Sequence, residues 1–201
     1  MNGRAVVVVA GIVLSLAVVS GPGSAATPPG SVKFVHNYDA DSEPSWSPDG
    51  RHIAVAGYRR RYTDIFVMRA DGEDVVQLTD RDAADSSPDW SPDGGRIAFT
   101  SYAVPGATIW AMASDGSNAT RLTTHDTVSE RAPAWSPDGK RIAYGTYHRN
   151  GDGAIFAMNA DGPEPTRLTD DGHGDSSPAW SPMGRVSRST RGGRGSTGSS
   201  S

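Results

Sequence analysis

The sequence predicts an all-β fold: a partial β-propeller of four-stranded antiparallel blades, with three full blades and fragments of a fourth. Three observations predict it. A Pro-x-Trp-Ser-Pro-Asp-Gly motif occupies Pro44–Gly50, Pro88–Gly94 and Pro133–Gly139, and it opens again at Pro178–Pro182 before Met183 interrupts it. The tryptophans Trp46, Trp90, Trp135 and Trp180 recur every 44–45 residues, a period that belongs to solenoids, propellers or arrays. Between the motifs, apolar residues alternate with a period of two and turn signals recur, which is the pattern of short strands.

Taken in chain order, residues 1–26 read as a secretory signal. Arg4 supplies the positive charge, Ala5–Val19 the apolar run, and Ser24-Ala25-Ala26 the small residues for cleavage. The run is shorter than the roughly 20 residues a spanning helix needs, so no membrane span is expected after cleavage. Residues 27–31 form a linker. Phe34 stands ten residues before Pro44, as Leu78 stands before Pro88, so 32–36 is expected to be a lone fourth strand.

The repeats then cover 32–184, with blades at about 44–79, 88–123 and 133–169 and a partial one at 178–184. In each, the first strand ends in the Trp. Ser-Pro-Asp-Gly follows as a hairpin turn, with Pro at its second position and Gly at its fourth. The second strand carries Ile53-Ala54-Val55, Ile97-Ala98-Phe99 or Ile142-Ala143-Tyr144. Neither of its faces is strongly polar, so both are expected to be covered. The third strand carries Ile65-Phe66-Val67-Met68, Ile109-Trp110-Ala111-Met112 or Ile155-Phe156-Ala157-Met158, and it ends in Asp71-Gly72, Asp115-Gly116 or Asp161-Gly162. Asp-Gly between apolar runs is a strong hairpin signal. The fourth strand carries Gln77-Leu78-Thr79, Arg121-Leu122-Thr123 or Arg167-Leu168-Thr169. The fourth copy lacks one residue between Gly184 and Val186 relative to the others. Residues 185–201 are Arg, Gly, Ser and Thr with one Val, a composition expected to be disordered. A truncated or frameshifted reading frame would account for both, the alternative being a functional basic tail.

Charge and cysteine content narrow the function. All 23 acidic residues lie between Asp39 and Asp175, and only 14 of the 19 basic residues fall in the folded body. An acidic body argues against nucleic acid as a partner. The chain has no cysteine, which removes thiolate nucleophiles, Cys-ligated zinc and iron–sulfur clusters.

The ordered run Trp-Ser-Pro-Asp-Gly, Arg-Ile-Ala, Ile-Phe-x-Met-x-Ala-Asp-Gly and Arg-Leu-Thr resembles the β-propeller repeat of the TolB family. Propellers of prolyl oligopeptidase-like proteins carry similar repeats. The resemblance implies a propeller scaffold, a periplasmic or extracellular location, and binding of envelope proteins. TolB itself pairs a six-bladed propeller with an N-terminal α/β domain, and no room for that domain exists between Ala26 and Val32.

Propeller geometry sorts the connections. The Ser-Pro-Asp-Gly and Asp-Gly turns fall on one face and nearly repeat, so they are read as hairpin chemistry. The other face collects the segments that differ: Tyr58, Arg59, Arg60, Arg61 and Tyr62; the run from Tyr102; and Tyr147, His148 and Arg149. Variable loops on a rigid scaffold are where binding usually resides, and Tyr and Arg are favoured interface anchors. The connections from fourth to first strands are acidic, with Asp39, Asp41 and Glu43; Asp80, Asp82 and Asp85; Asp126 and Glu130; and Asp170, Asp171 and Asp175. They match no calcium loop pattern and are read as solvated turns, with no cofactor expected. No Gly-x-Ser-x-Gly, His-Glu-x-x-His or phosphate-binding Gly loop is present, and the five histidines share no repeat position. The expectation is an exported, non-enzymatic module binding a protein partner, with self-association through open blade edges as a further property. The alternative is a truncated propeller of a secreted prolyl oligopeptidase-like hydrolase.

Overall fold

The computed structural model describes residues 5–9, 12–16, 44–59, 61–103, 106–124, 128–148, 153–162, 164–169 and 175–190. The apolar run of the segment read as a signal forms a two-stranded antiparallel hairpin, β1 (Ala5–Val9) with β2 (Ile12–Leu16), which pairs with no blade. The linker at 27–31 and the lone strand expected at 32–36 lie outside the described residues.

Three four-stranded antiparallel sheets follow. The first blade is β3 (Ser45–Trp46), β4 (His52–Arg59), β5 (Tyr62–Arg69) and β6 (Val76–Gln77). The second is β7 (Asp85–Trp90), β8 (Arg96–Ser101), β9 (Thr108–Ala113) and β10 (Thr120–Arg121). The third is β11 (Ser129–Trp135), β12 (Arg141–Tyr147), β13 (Gly153–Asn159) and β14 (Thr166–Arg167). A two-stranded remnant, β15 (Asp175–Trp180) with β16 (Val186–Thr190), ends the described fold. The strand β16 lies within residues 185–201, whose composition reads as a disordered tail; it forms because a backbone ladder needs no apolar side chain. First strands of neighbouring blades touch each other, so they line the inside of an open arc.

The repeated letters now have physical reasons. In each complete motif the fourth-position Gly N–H donates to the Ser carbonyl at 2.9 Å. The Ser47, Ser91 and Ser136 hydroxyls each donate 2.6 Å bonds to Asp49, Asp93 and Asp138. Each carboxylate also accepts a backbone N–H two residues on. The Thr that follows each Leu closes its blade: Thr79, Thr123 and Thr169 accept the N–H of Ile65, Ile109 and Ile155 at 2.9–3.0 Å. The Asp-Gly turns differ from the tight hairpin that the sequence suggests. Residues 70–75 separate β5 from β6, and Gly72 is the fourth residue of a turn whose N–H donates to Arg69 O at 2.8 Å.

The core lies between blades. One cluster joins Ala54, Ala56, Ile65 and Val67 of the first blade to Ile97, Phe99 and Met112 of the second, with Trp90 packed against it. The next joins Ala98 and Ile109 to Trp135, Ile142, Tyr144 and Met158. Trp90, Trp135 and Trp180 therefore face the preceding blade. Arg96 and Arg141 stack over Trp135 and Trp180 at 5.4 and 4.8 Å. The turn glycines dock as well. A Cβ on Gly94 or Gly139 would lie 3.2–3.3 Å from Cγ of Pro48 or Pro92 of the preceding blade. One on Gly116 or Gly162 would meet the carbonyl of Leu78 or Leu122 at 3.0 or 2.8 Å. So these glycines do more than turn the chain, which is all the sequence reading gave them.

Asp89, on β7, ties three blades together. It accepts the Ser45 hydroxyl of the first blade at 3.1 Å and the Trp135 N–H of the third at 2.7 Å. Burial pushes its carboxyl up to about 6, against the opposing effect of those hydrogen bonds.

Candidate binding face

The first strands β7, β11 and β15 each carry a β-bulge just ahead of the Pro, seen as a register shift at Ser86/Asp89, Arg131/Ala134 and Ser176/Ala179. The bulge residues Ser87, Ala132 and Ser177 take positive φ of 49–52°. A bulge bends its strand and re-aims the side chains beside it. In the third blade it frees the Ala132 N–H, which donates to Thr100 Oγ1 of the second at 3.1 Å. Arg131, the preceding residue, is thereby fixed between two blades.

Its guanidinium carbon lies 5.2 Å from the Tyr102 ring centre and 5.3 Å from that of Tyr147. Tyr102 follows β8 and Tyr147 ends β12, so two of the four predicted face tyrosines flank one cation. The Tyr102 backbone is anchored by its N–H to Ala84 O at 2.8 Å. Such a cation between two ring faces is held by their quadrupoles and by their stiffness.

The other predicted residues spread along the same face. Tyr58 and Tyr62 are strand residues, since Arg59 pairs with Tyr62 and Tyr58 with Thr63. The connection between those strands is therefore only residues 60–61. Tyr58 is 40% exposed, and Arg61 and His148 are exposed. Arg59 is placed by its backbone alone, and Arg60 and Arg149 lie outside the described residues. Of the repeat tryptophans, Trp135 is buried, Trp90 and Trp180 are partly buried, and Trp46 is exposed.

The acidic connections are not uniform loops. Asp85 and Glu130 sit in first strands and are fully buried, at 0% and 1% exposure. The polar run Asp-Ser-Ser-Pro hid that strand from a reading based on apolar alternation. Arg81 Nη2 pairs with Asp85 at 3.1 Å while its guanidinium lies 4.2 Å from the Trp110 ring centre. Burial, and then the charge of Glu130, hold the Tyr144 phenol above its ordinary range. Among the described residues no three His, Asp or Glu side chains gather as metal ligands. Asp39, Asp41, Glu43, Asp126, Asp170 and Asp171 lie outside the described residues.

Sequence reasoning missed Arg131, Arg81 and Asp89. Each departs from its repeat column: Arg131 stands where the second and fourth copies have Ser86 and Ser176, and Asp89 where the others have Ser45, Ala134 and Ala179. Aligning the repeats and reading the odd letters would have found them.

Residues 30–131 match the family model of the TolB beta propeller domain. No curated protein matches the chain. Among solved structures, the chain is 28% identical to a protein assigned as TolB in Agrobacterium tumefaciens, with a TM-score of 0.65. That match covers 76% of this chain and 58% of the other. It is 22% identical to TolB from Acinetobacter baumannii, TM-score 0.63, over 78% of this chain and 38% of that one. A likeness of fold alone extends to puromycin hydrolase, 16% identical with a TM-score of 0.56, covering 69% of this chain and 23% of that one. The chain thus spans less than two thirds of the length of these relatives.

Proposed function

The chain belongs to the TolB β-propeller domain family, and from that premise we propose that it is an exported, non-enzymatic binding module whose variable face takes a protein partner at the cell envelope. The observation that carries this reading is the Tyr102–Arg131–Tyr147 stack, an aromatic and arginine cluster on the face where the repeats diverge. Tyr and Arg are the residues that most often carry interface energy, because they bring large rigid surface and directional donors together. Tyr58 and Arg61 are exposed at the corresponding end of the first blade. No helix among the described residues is long and apolar enough to cross a membrane.

The test is site-specific photo-cross-linking in the envelope fraction of the source cell. A cross-linker replacing Tyr58 should give one discrete adduct, and one replacing Lys140 on the turn face should give none. Equal adducts from both positions, or none from Tyr58, would sink the reading.

A further inference from the structure

Arg131 is a cation flanked by two ring faces. Among the described residues it has no ion-pair partner, although the folded body carries far more acid than base. Its Nε is sealed from solvent with no hydrogen-bond partner, while the residue as a whole stays partly exposed. Removing a guanidinium from water without pairing it is costly, and ring faces return only part of that loss. Only the second and fourth copies can be compared directly in the structure, and both place a Ser at this position. The cation is therefore not required to build a blade.

Resting on the loop-face reading above, we propose that Arg131 is a carboxylate receptor: held between Tyr102 and Tyr147, it receives one carboxylate of the bound partner through its two terminal nitrogens. The chemistry selects that ligand. The sealed Nε rules out side-on approach, so an incoming anion meets the end of the fork, where two parallel N–H groups match a planar carboxylate. The two rings fix the plane of the guanidinium and so the plane of the ligand. A single cation between the two rings, in a body of net negative charge, also favours a single negative charge over a phosphate dianion or a polyanion. The carboxylate can come from an Asp or Glu side chain or from a chain terminus.

The experiment is an NMR titration of the full chain, following the Arg131 Nε–H and the Tyr102 and Tyr147 ring signals. Three probes are used: a capped peptide with one Asp side chain, an uncapped peptide whose only anion is its C-terminus, and inorganic phosphate. At least one peptide should shift all three residues saturably, and which one does identifies the source of the carboxylate. Phosphate should bind at least tenfold more weakly. Arg131→Gln should weaken the peptide at least tenfold, and Arg131→Lys by nearly as much, since an ammonium offers no fork. The wild-type titration needs no variant, so a misfolded mutant does not remove the test. Absence of any peptide-induced shift at Arg131, preference for phosphate, or full binding by Arg131→Gln overturns the proposal. If Arg131→Gln keeps the Tyr58 adduct and no probe binds, the loop-face reading stands and the carboxylate receptor falls. If the probes bind but no adduct forms, the receptor stands and the protein-partner reading falls.

Discussion

The two faces of the arc are built from opposite kinds of letters. On the turn face the same Ser, Asp and Gly make the same bonds at 2.6 and 2.9 Å in blade after blade. Hydrogen bonds from the paired Ser, and then from backbone N–H groups, hold Asp49, Asp93 and Asp138 below the ordinary carboxylate range. On the loop face each complete blade places a Tyr at or beside the end of its second strand, Tyr58, Tyr102 and Tyr147, but Arg131 has no counterpart in the second or fourth copy. The difference separates two duties. Repeated residues join strand to strand and blade to blade; of the residues that break the repeat, Asp89 is a further joint, whereas Arg131 on the loop face meets only ring faces.

The sharpest way to break that division is to remove a joint. Trp90→Ala should cost about 3–5 kcal/mol, because the ring packs between two blades. Trp46→Ala, at 39% exposure, should cost about 1 kcal/mol. Urea denaturation of both variants measures the contrast, and similar losses would refute the inter-blade placement. Next come the glycines. Gly162→Ala combines a φ of 104° with a Cβ 2.8 Å from the Leu122 carbonyl, and a loss of about 3 kcal/mol is expected. Gly72→Ala sits in the equivalent turn with nothing within 4 Å, and should show only the backbone cost of about 1–2 kcal/mol.

A smaller effect is expected from pH. The folded-state carboxyl of Asp89 is raised from 3.8 to about 6, so the folded protein holds a proton that the unfolded chain releases. Its contribution is therefore full below the unfolded value and is lost as pH rises through about 6. Between pH 5 and 7.5 stability should fall by about 1.4 kcal/mol from this group, and Asp89→Asn should flatten that limb. The turn-face carboxylates act in the opposite direction: their stabilisation is lost as pH falls below the ordinary Asp range. Thermal melts across pH should thus show an optimum on the mildly acidic side of neutrality. An unchanged slope in Asp89→Asn would show that the Asp89 carboxyl does not set this limb. The smallest stability effect belongs to the loop face. Tyr58→Ser should change stability by less than about 0.5 kcal/mol. A loss of several kcal/mol would make that residue part of the scaffold.

How much of this was legible in the sequence depended on distance along the chain. The Trp-Ser-Pro-Asp-Gly turn could be read because every bond in it joins residues at most five apart. The docking of Gly116 on Leu78 could not, since it requires knowing which blade lies alongside. Asp85 and Glu130 looked like solvated loop acids because their strand has polar letters on both sides of a bulge, yet both are buried. The tyrosines stood out as a recurring letter. Arg131 carries no such signal, because a repeat pattern displays what the copies share and its role lies in what one copy does alone.

The glycine contacts carry one more consequence. Each complete unit presents a Pro ring and a Leu carbonyl on one flank and two bare glycine backbones on the other, at matching heights. A unit so made is both plug and socket for its own copy. Duplicating the coding segment therefore lengthens the array without inventing a new seam, and the growth rule is written inside the repeat. At Gly184 the rule lapses: after a turn one residue shorter, which pairs Trp180 with Val186, nothing lies within 4 Å of where its Cβ would be.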